Sequence, residues 1–204
     1  MRYWLCILFL FAALQTQAFH YVADSTSINT ILKQLKIRPV ASSNPKTEII
    51  IQLGESFSTQ GKVLHLQEIN NNWSGTLYTY FIDAKYAHTI DKYETKVLVP
   101  ESDWKQVLQE LEELNVYSLP SQSTLEPKMK KESDVSRNGQ KGYLKVMVTD
   151  GSAYNVIVKS ENHVRSYAFY SPWIYSSHYP DVKELKNYSA IINTLEREFG
   201  ISFR

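Results

Sequence analysis

Apolar and polar positions alternate with two periods along this chain, and the changes of period mark out its elements. From Asp24 to Lys36, Ile28, Ile31, Leu32 and Leu35 share one helical face, with Asp24 or Ser25 as cap and Arg38-Pro39 as the stop. Residues 40–46, with Ser42-Ser43-Asn44-Pro45, read as a linker. Thr47 to Leu53 carries Ile49-Ile50-Ile51, too continuous for a strand with one wet face, and predicts a strand packed on both. Lys62 to Ile69 and Trp73 to Ile82 follow as strands joined by an Asn70-Asn71-Asn72 turn, and Tyr93 to Val99 makes a fourth, ended by Pro100. Trp104, Val107, Leu108, Leu111 and Leu114 then form one helical stripe, with Ser102 as cap and Asp103 favouring the N-terminus. Asn115 suits the left-handed residue that closes this helix, and Val116 can pack back over its last turn.

Residues 121–141 hold few large apolar side chains and predict a long loop. From Lys141 to Lys159, two β-rich runs flank Asp150-Gly151, a strong hairpin signal. A three-residue loop with Gly151 left-handed sets Val146 opposite Tyr154, Leu144 opposite Val156 and Lys145 opposite Asn155, which gathers the apolar residues on one face. His163 to Tyr170 is a further strand, ended by Ser171-Pro172. A last helix starts at Pro180-Asp181, runs through Val182, Leu185, Tyr188, Ile192, Leu195 and Phe199, and closes at Gly200 with Ile201 behind it. The expectation is an α+β domain of mostly antiparallel strands in two groups, covered by amphipathic helices.

Composition adds a location. Met1-Arg2-Tyr3-Trp4, an uncharged run from Leu5 to Leu14 and Gln15-Thr16-Gln17-Ala18 match a secretory signal peptide over residues 1–18. The apolar run is half the roughly twenty residues that a membrane-spanning helix needs. What remains, residues 19–204, has no cysteine, so this part of the chain relies on a packed core rather than on disulfides, and it reads as one domain. The expected location is periplasmic or secreted. Lysine plus arginine number 22 against 21 acids, a balance that argues against nucleic acid and against attraction to anionic membranes.

The order of parts is also familiar. An exported leader, a meander carrying Trp73, Gly75, Tyr78 and Tyr80, a helix ending Leu114-Asn115-Val116-Tyr117-Ser118-Leu119-Pro120, a Thr149-Asp150-Gly151 turn, an aromatic strand ending Ser171-Pro172 and a terminal helix follow one another. This resembles a group of small exported or lipid-anchored bacterial proteins with no assigned activity. The resemblance implies a single domain in the cell envelope and no reaction.

The sharpest candidate for chemistry is aromatic. Six rings fall between Tyr167 and Tyr179, with Arg165, His163 and His178 beside them. Rings with polar tips on a loop can make a platform for a glycan or peptide, and arginine can clamp a carboxylate or stack. The candidate ligand-binding residues are Arg165, Tyr167, Tyr170, Trp173, Tyr175 and His178. The competing reading has alternate rings covering the sheet, with Trp173 and Tyr175 pinning a crossover onto it. Asp83, His88 and Asp91 lack the spacing that would aim them at a metal, and no nucleophile motif is present. His65 reads as a pleat-facing side chain rather than a base. Glu110, Glu112 and Glu113 read as a wet helix flank, and Lys128, Lys130 and Lys131 as part of a wet loop.

The expected function is therefore an exported, non-enzymatic binding domain for a protein, peptide or glycan, needing no cofactor and using the aromatic loop and the 121–141 loop. A hydrolase of an envelope polymer and an inhibitor or immunity-type protein are the alternatives.

Overall fold

Three consecutive isoleucines with no exposed surface sit at the middle of the molecule. Ile49, Ile50 and Ile51 belong to β1 (Thr47–Glu55), which is hydrogen-bonded on one side to β2 (Gln60–Ile69) and on the other to β7 (Ser152–Ser160). Side chains alternate across a strand. Ile49, Ile51 and Leu53 therefore enter one layer, while Glu48, Ile50 and Gln52 enter the other. The computed structural model describes residues 25–40, 44–55, 58–83, 85–86, 89–137, 140–144, 146–161 and 163–203. The expected leader at 1–18 lies outside them, as do Asp24, His88 and Lys145.

The remaining strands of the main sheet are β3 (Asn72–Ile82), β4 (Ile90–Leu98) and β8 (His163–Tyr170), and the order is β4-β3-β2-β1-β7-β8 with every neighbour antiparallel. The fold is α+β of antiparallel strands, as the sequence implies; the meander and the strand after the expected hairpin, placed in two groups, share one six-stranded sheet, and a separate two-stranded ribbon stands beside it. β1 makes the join. The β2–β3 turn follows from its residues: Asn70 and Asn71 both stand left-handed, at φ 52° and 60°, the two-residue turn whose twist suits a hairpin.

Helices cover both faces. α1 (Ser25–Gln34) lays Ile28 and Leu32 over Ile50, Val63 and Ile157. The opposite face carries α2 (Trp104–Glu113), the short α3 (Pro172–His178) and α4 (Lys183–Phe199), whose buried Val107, Leu111, Tyr188, Ile192 and Leu195 meet Ile49, Ile51 and Leu64. Among the described residues no helix is long and apolar enough to cross a membrane. α2 closes as its sequence predicts: Asn115 has φ 62°, and Val116 is buried and donates its N–H to Leu111 O at 3.0 Å. Its cap is one residue later than expected. Asp103 Oδ1 accepts from Gln106 N at 2.9 Å, while Ser102 Oγ donates to Glu198 at 2.7 Å. α4 ends at Gly200, φ 54°, as expected.

The expected Asp150-Gly151 hairpin does not form. β7 is buried continuously from Ala153 to Lys159, and both its edges are taken along their whole length by β1 and β8. Two long ladders within the core outweigh one local turn preference. Leu144 instead pairs with Lys131 in a separate ribbon, β5 (Lys131–Arg137) with β6 (Gln140–Leu144), and residues 146–148 are outside any strand. Gly151 is not left-handed; it is small because a Cβ there would lie 1.9 Å from Ser171 Oγ. The expected 121–141 loop is likewise structured, with a 3-10 helix (Gln122–Lys128) ahead of the ribbon.

The two edges of the sheet differ. On β8, the N–H of Ala168 donates to Ser121 Oγ at 3.3 Å and that of Tyr170 to Gln122 Oε1 at 2.8 Å, so the start of the 3-10 segment closes this edge. β4 forms the other edge, and from Asp91 to Val97 its residues are exposed.

Candidate functional site

Strand alternation decides the fate of the aromatic stretch before any ligand is considered. It turns Tyr167 and Phe169 toward the helical layer, where both are buried. Phe169 stacks on Tyr154 of β7 at 4.8 Å between centroids and on Tyr188 of α4 at 4.6 Å, nearly parallel to each. Tyr167 donates its hydroxyl to Val116 O at 2.9 Å, and burial pushes its pKa far up. Tyr188 donates to Pro120 O and is raised by burial as well. Tyr117, beside this layer, is pushed up to about 12 by burial, with Glu112 and Glu68 adding to it. These phenols stay neutral, and Tyr167 and Tyr188 tie the segment after α2 to β8 and to α4.

The other candidate residues are more accessible. Arg165 is exposed, yet its guanidinium donates to Tyr117 O at 3.2 Å and Leu119 O at 3.1 Å, so in this conformation it holds backbone. Tyr170 is half-buried and donates to Thr149 O at 3.3 Å. The stretch after it, expected as a loop, is α3, begun by Pro172 at a first-turn position that needs no N–H. Trp173 is half-buried, edge-on to Tyr154 at 6.0 Å, and donates Nε1–H to Asn193 at 3.2 Å. Tyr175 stacks on Tyr179 at 6.5 Å, and His178 is exposed at the end of the helix. The six candidates therefore do not converge on one point. Tyr167 is core, Arg165 braces a turn, and Tyr170, Trp173, Tyr175 and His178 reach the surface.

What the fold does bring together is α3 and the β5–β6 ribbon. The hydroxyl of Tyr179, the residue after α3, accepts from Val146 N at 3.0 Å, and Lys131 Nζ of β5 stands 5.9 Å over the Tyr179 ring; ahead of the ribbon, Lys128 of the 3-10 helix pairs with Glu184 of α4 at 2.5 Å. Beside Val146 the chain presents Tyr143, Leu144 and Met147, exposed by 58, 62 and 70%. Lys130 lies 5.8 Å from the Tyr143 ring. Sequence reasoning missed these three residues, because the hairpin expected there placed Leu144 in an inward face. The signal that marks them is indirect: a strand whose partner already has two others must leave its apolar residues outside.

His65 Nε2 and Glu48 Oε1 are 2.6 Å apart beneath α1, 9% and 1% exposed, with Lys159 directly across from Glu48 in register. Gln52 links Tyr80 and Asn155 in the same layer at 3.1 and 2.9 Å. A depression of about 70 Å³ nearby, lined by Ile28, Asn155, Ile157 and Ala168, falls short of the roughly 300–1,000 Å³ of ligand sites. Glu110 is not simply a wet flank. It accepts from Thr194 at 2.6 Å and pairs with Arg197 at 2.5 Å, joining α2 to α4. Asp83 caps a turn through Lys85 N and Tyr86 N, and among the described residues no three potential metal ligands converge. Comparison with protein-family models, curated proteins and solved structures finds no match for this chain, so the resemblance drawn from its order of parts gains no support there.

Proposed function

We propose that this chain is an exported, non-enzymatic interaction domain that binds a protein or peptide partner through the surface shared by the β5–β6 ribbon and α3. One observation carries the reading: Tyr143, Leu144 and Met147 are majority-exposed, on and just after a ribbon that pairs with neither edge of the main sheet. Three exposed apolar side chains within five residues of chain, with aromatics and lysines nearby, have the make-up of an interface. On the α3 side, Tyr175 stacks on Tyr179, whose hydroxyl accepts from Val146 N. Export is supported by the leader-like residues 1–18.

An enzyme would need two titratable groups facing a cleft. The perturbed carboxylates Glu110, Glu184 and Glu198 are instead locked to Arg197, Lys128 and Ser102 on helix flanks.

The test is selection of peptides from a displayed random library on the wild-type chain, followed by binding to Tyr143→Ser/Leu144→Ser/Met147→Ser. An anchor residue is worth about 2 kcal/mol or more, roughly thirtyfold in affinity, so the triple variant should lose binding while its unfolding transition stays put. Peptides that bind the triple variant equally well would remove this surface from consideration. A thermal-shift panel of glycans that moves the wild type instead would redirect the reading to a sugar ligand.

A further inference from the structure

β4 is an edge strand with an ordered distribution of side chains. Its register with β3 puts Tyr93, Thr95 and Val97 on the face shared with Tyr80, Tyr78 and Thr76, and Lys92, Glu94 and Lys96 on the other. Val97 is 76% exposed, and Tyr93, 37% exposed, packs against Tyr78 at 6.3 Å. Whereas Ser121 and Gln122 close the β8 edge, β4 has no further strand beside it among the described residues; its first residue, Ile90, donates its N–H to Gln34 Oε1 at 2.7 Å, and the stretch from Lys92 to Leu98 lies beyond that bond. Open edges invite strand addition, and proteins usually blunt them.

We infer that β4 pairs antiparallel with β4 of a second copy, joining two sheets into one. The occupant follows from self-complementarity. A two-fold axis perpendicular to the sheet keeps every side chain on its own face, so one residue must stand on the axis. With Glu94 there, Glu94 faces itself and Lys92 faces Lys96, both repulsive. With Tyr93 there, the ladder must run through Asp91, where the β3–β4 register slips. With Thr95 there, the ladder occupies the regular stretch from Lys92 to Leu98. Glu94 then faces Lys96 twice, and Tyr93 faces Val97 twice. The charged pairs fall on one face and the apolar pairs on the other. Lys92 is already engaged within its own chain, 4.9 Å over the Phe81 ring. An arbitrary strand would meet two lysines; a second copy supplies the acid that one of them needs.

Sedimentation equilibrium of the purified chain tests this. The wild type should show a monomer–dimer transition between about 1 µM and 1 mM, as suits a small interface. Glu94→Lys and Lys96→Glu, each alone, should weaken it at least about tenfold. An equimolar mixture of the two variants should restore it, because each chain then supplies the charge the other requires. All substituted side chains are exposed, and circular dichroism would establish that the variants fold. A wild type that stays monomeric at the top of the range overturns the inference. So does a dimer indifferent to Glu94→Lys, or a mixture that fails to reassociate. No residue of the ribbon takes part in this ladder, so failure here leaves the proposed function standing.

Discussion

Phe169→Ala is the substitution that separates the core rings from those available at the surface. Phe169 is buried between Tyr154 and Tyr188, at 4.8 and 4.6 Å. Truncating a buried phenylalanine costs about 3–5 kcal/mol through lost transfer energy and the cavity left behind. Two near-parallel ring contacts, each worth about 0.5–1.5 kcal/mol, place this site at the upper end, near 4–5 kcal/mol. That is a large part of the roughly 5–15 kcal/mol that stabilises a domain. At about 2–4 °C per kcal/mol for a chain of this size, the melting temperature should fall by about 8–20 °C. Phe169→Leu keeps most of the volume and should cost about 1–2 kcal/mol. Urea titration followed by far-ultraviolet circular dichroism measures each, with Tyr143→Ala as a control expected within about 0.5 kcal/mol of wild type. A Phe169→Ala variant within about 1 kcal/mol of wild type would refute the stack and return the whole aromatic stretch to candidacy as a binding platform.

Gly75→Ala should cost about 1–3 kcal/mol by overpacking, because a Cβ there would lie 2.9 Å from both Leu66 Cδ2 and Trp104 Cη2; a melting temperature unchanged from wild type would contradict it. Stability should also depend on pH in the acid range. Glu198 is held below the usual carboxylate range chiefly by its hydrogen bond from Ser102, and in Glu110 the bonds from Thr194 and Arg197 outweigh the upward push of burial. A folded pKa below the unfolded one gives stability that is present above the ordinary carboxylate pKa and lost as pH falls through the folded value. Urea midpoints should therefore hold from pH 7 to about 5 and decline below about 4, with a shallower decline in Glu198→Gln. Finally, residues 1–18 fused to alkaline phosphatase should yield active enzyme in a bacterial host, since that enzyme needs disulfides formed outside the cytoplasm; an inactive fusion would count against export.

Local signals were legible in the sequence wherever local forces decide. The isoleucine run announced a strand buried on both faces, Asn115 and Gly200 marked the two helix ends they occupy, and the paired asparagines marked their turn. Asp150-Gly151 misled because its turn preference is local, whereas β7 is held by β1, roughly a hundred residues earlier, and by the hairpin it makes with β8 just after it. The small residue at 151 answers to the approach of Ser171 instead. The ribbon went unread because the stretch from Lys131 to Leu144 holds few apolar side chains to set a period. At the candidate surface, Trp173, Tyr175 and His178 could be named from composition. Tyr143, Leu144 and Met147 could not, since their exposure depends on which strands β7 had already chosen.

The central place of β1 has a consequence in time. Its neighbour β2 follows at once, but β7 is synthesised roughly a hundred residues later, on the order of 5–20 s at ordinary rates of translation. Through that interval the isoleucine strand has one ladder unfilled and half its cover missing. A chain read as exported would cross its membrane in that condition, N-terminal part first. Its maturation therefore hinges on whatever keeps a half-built sheet from finding a stranger's strand before its own arrives.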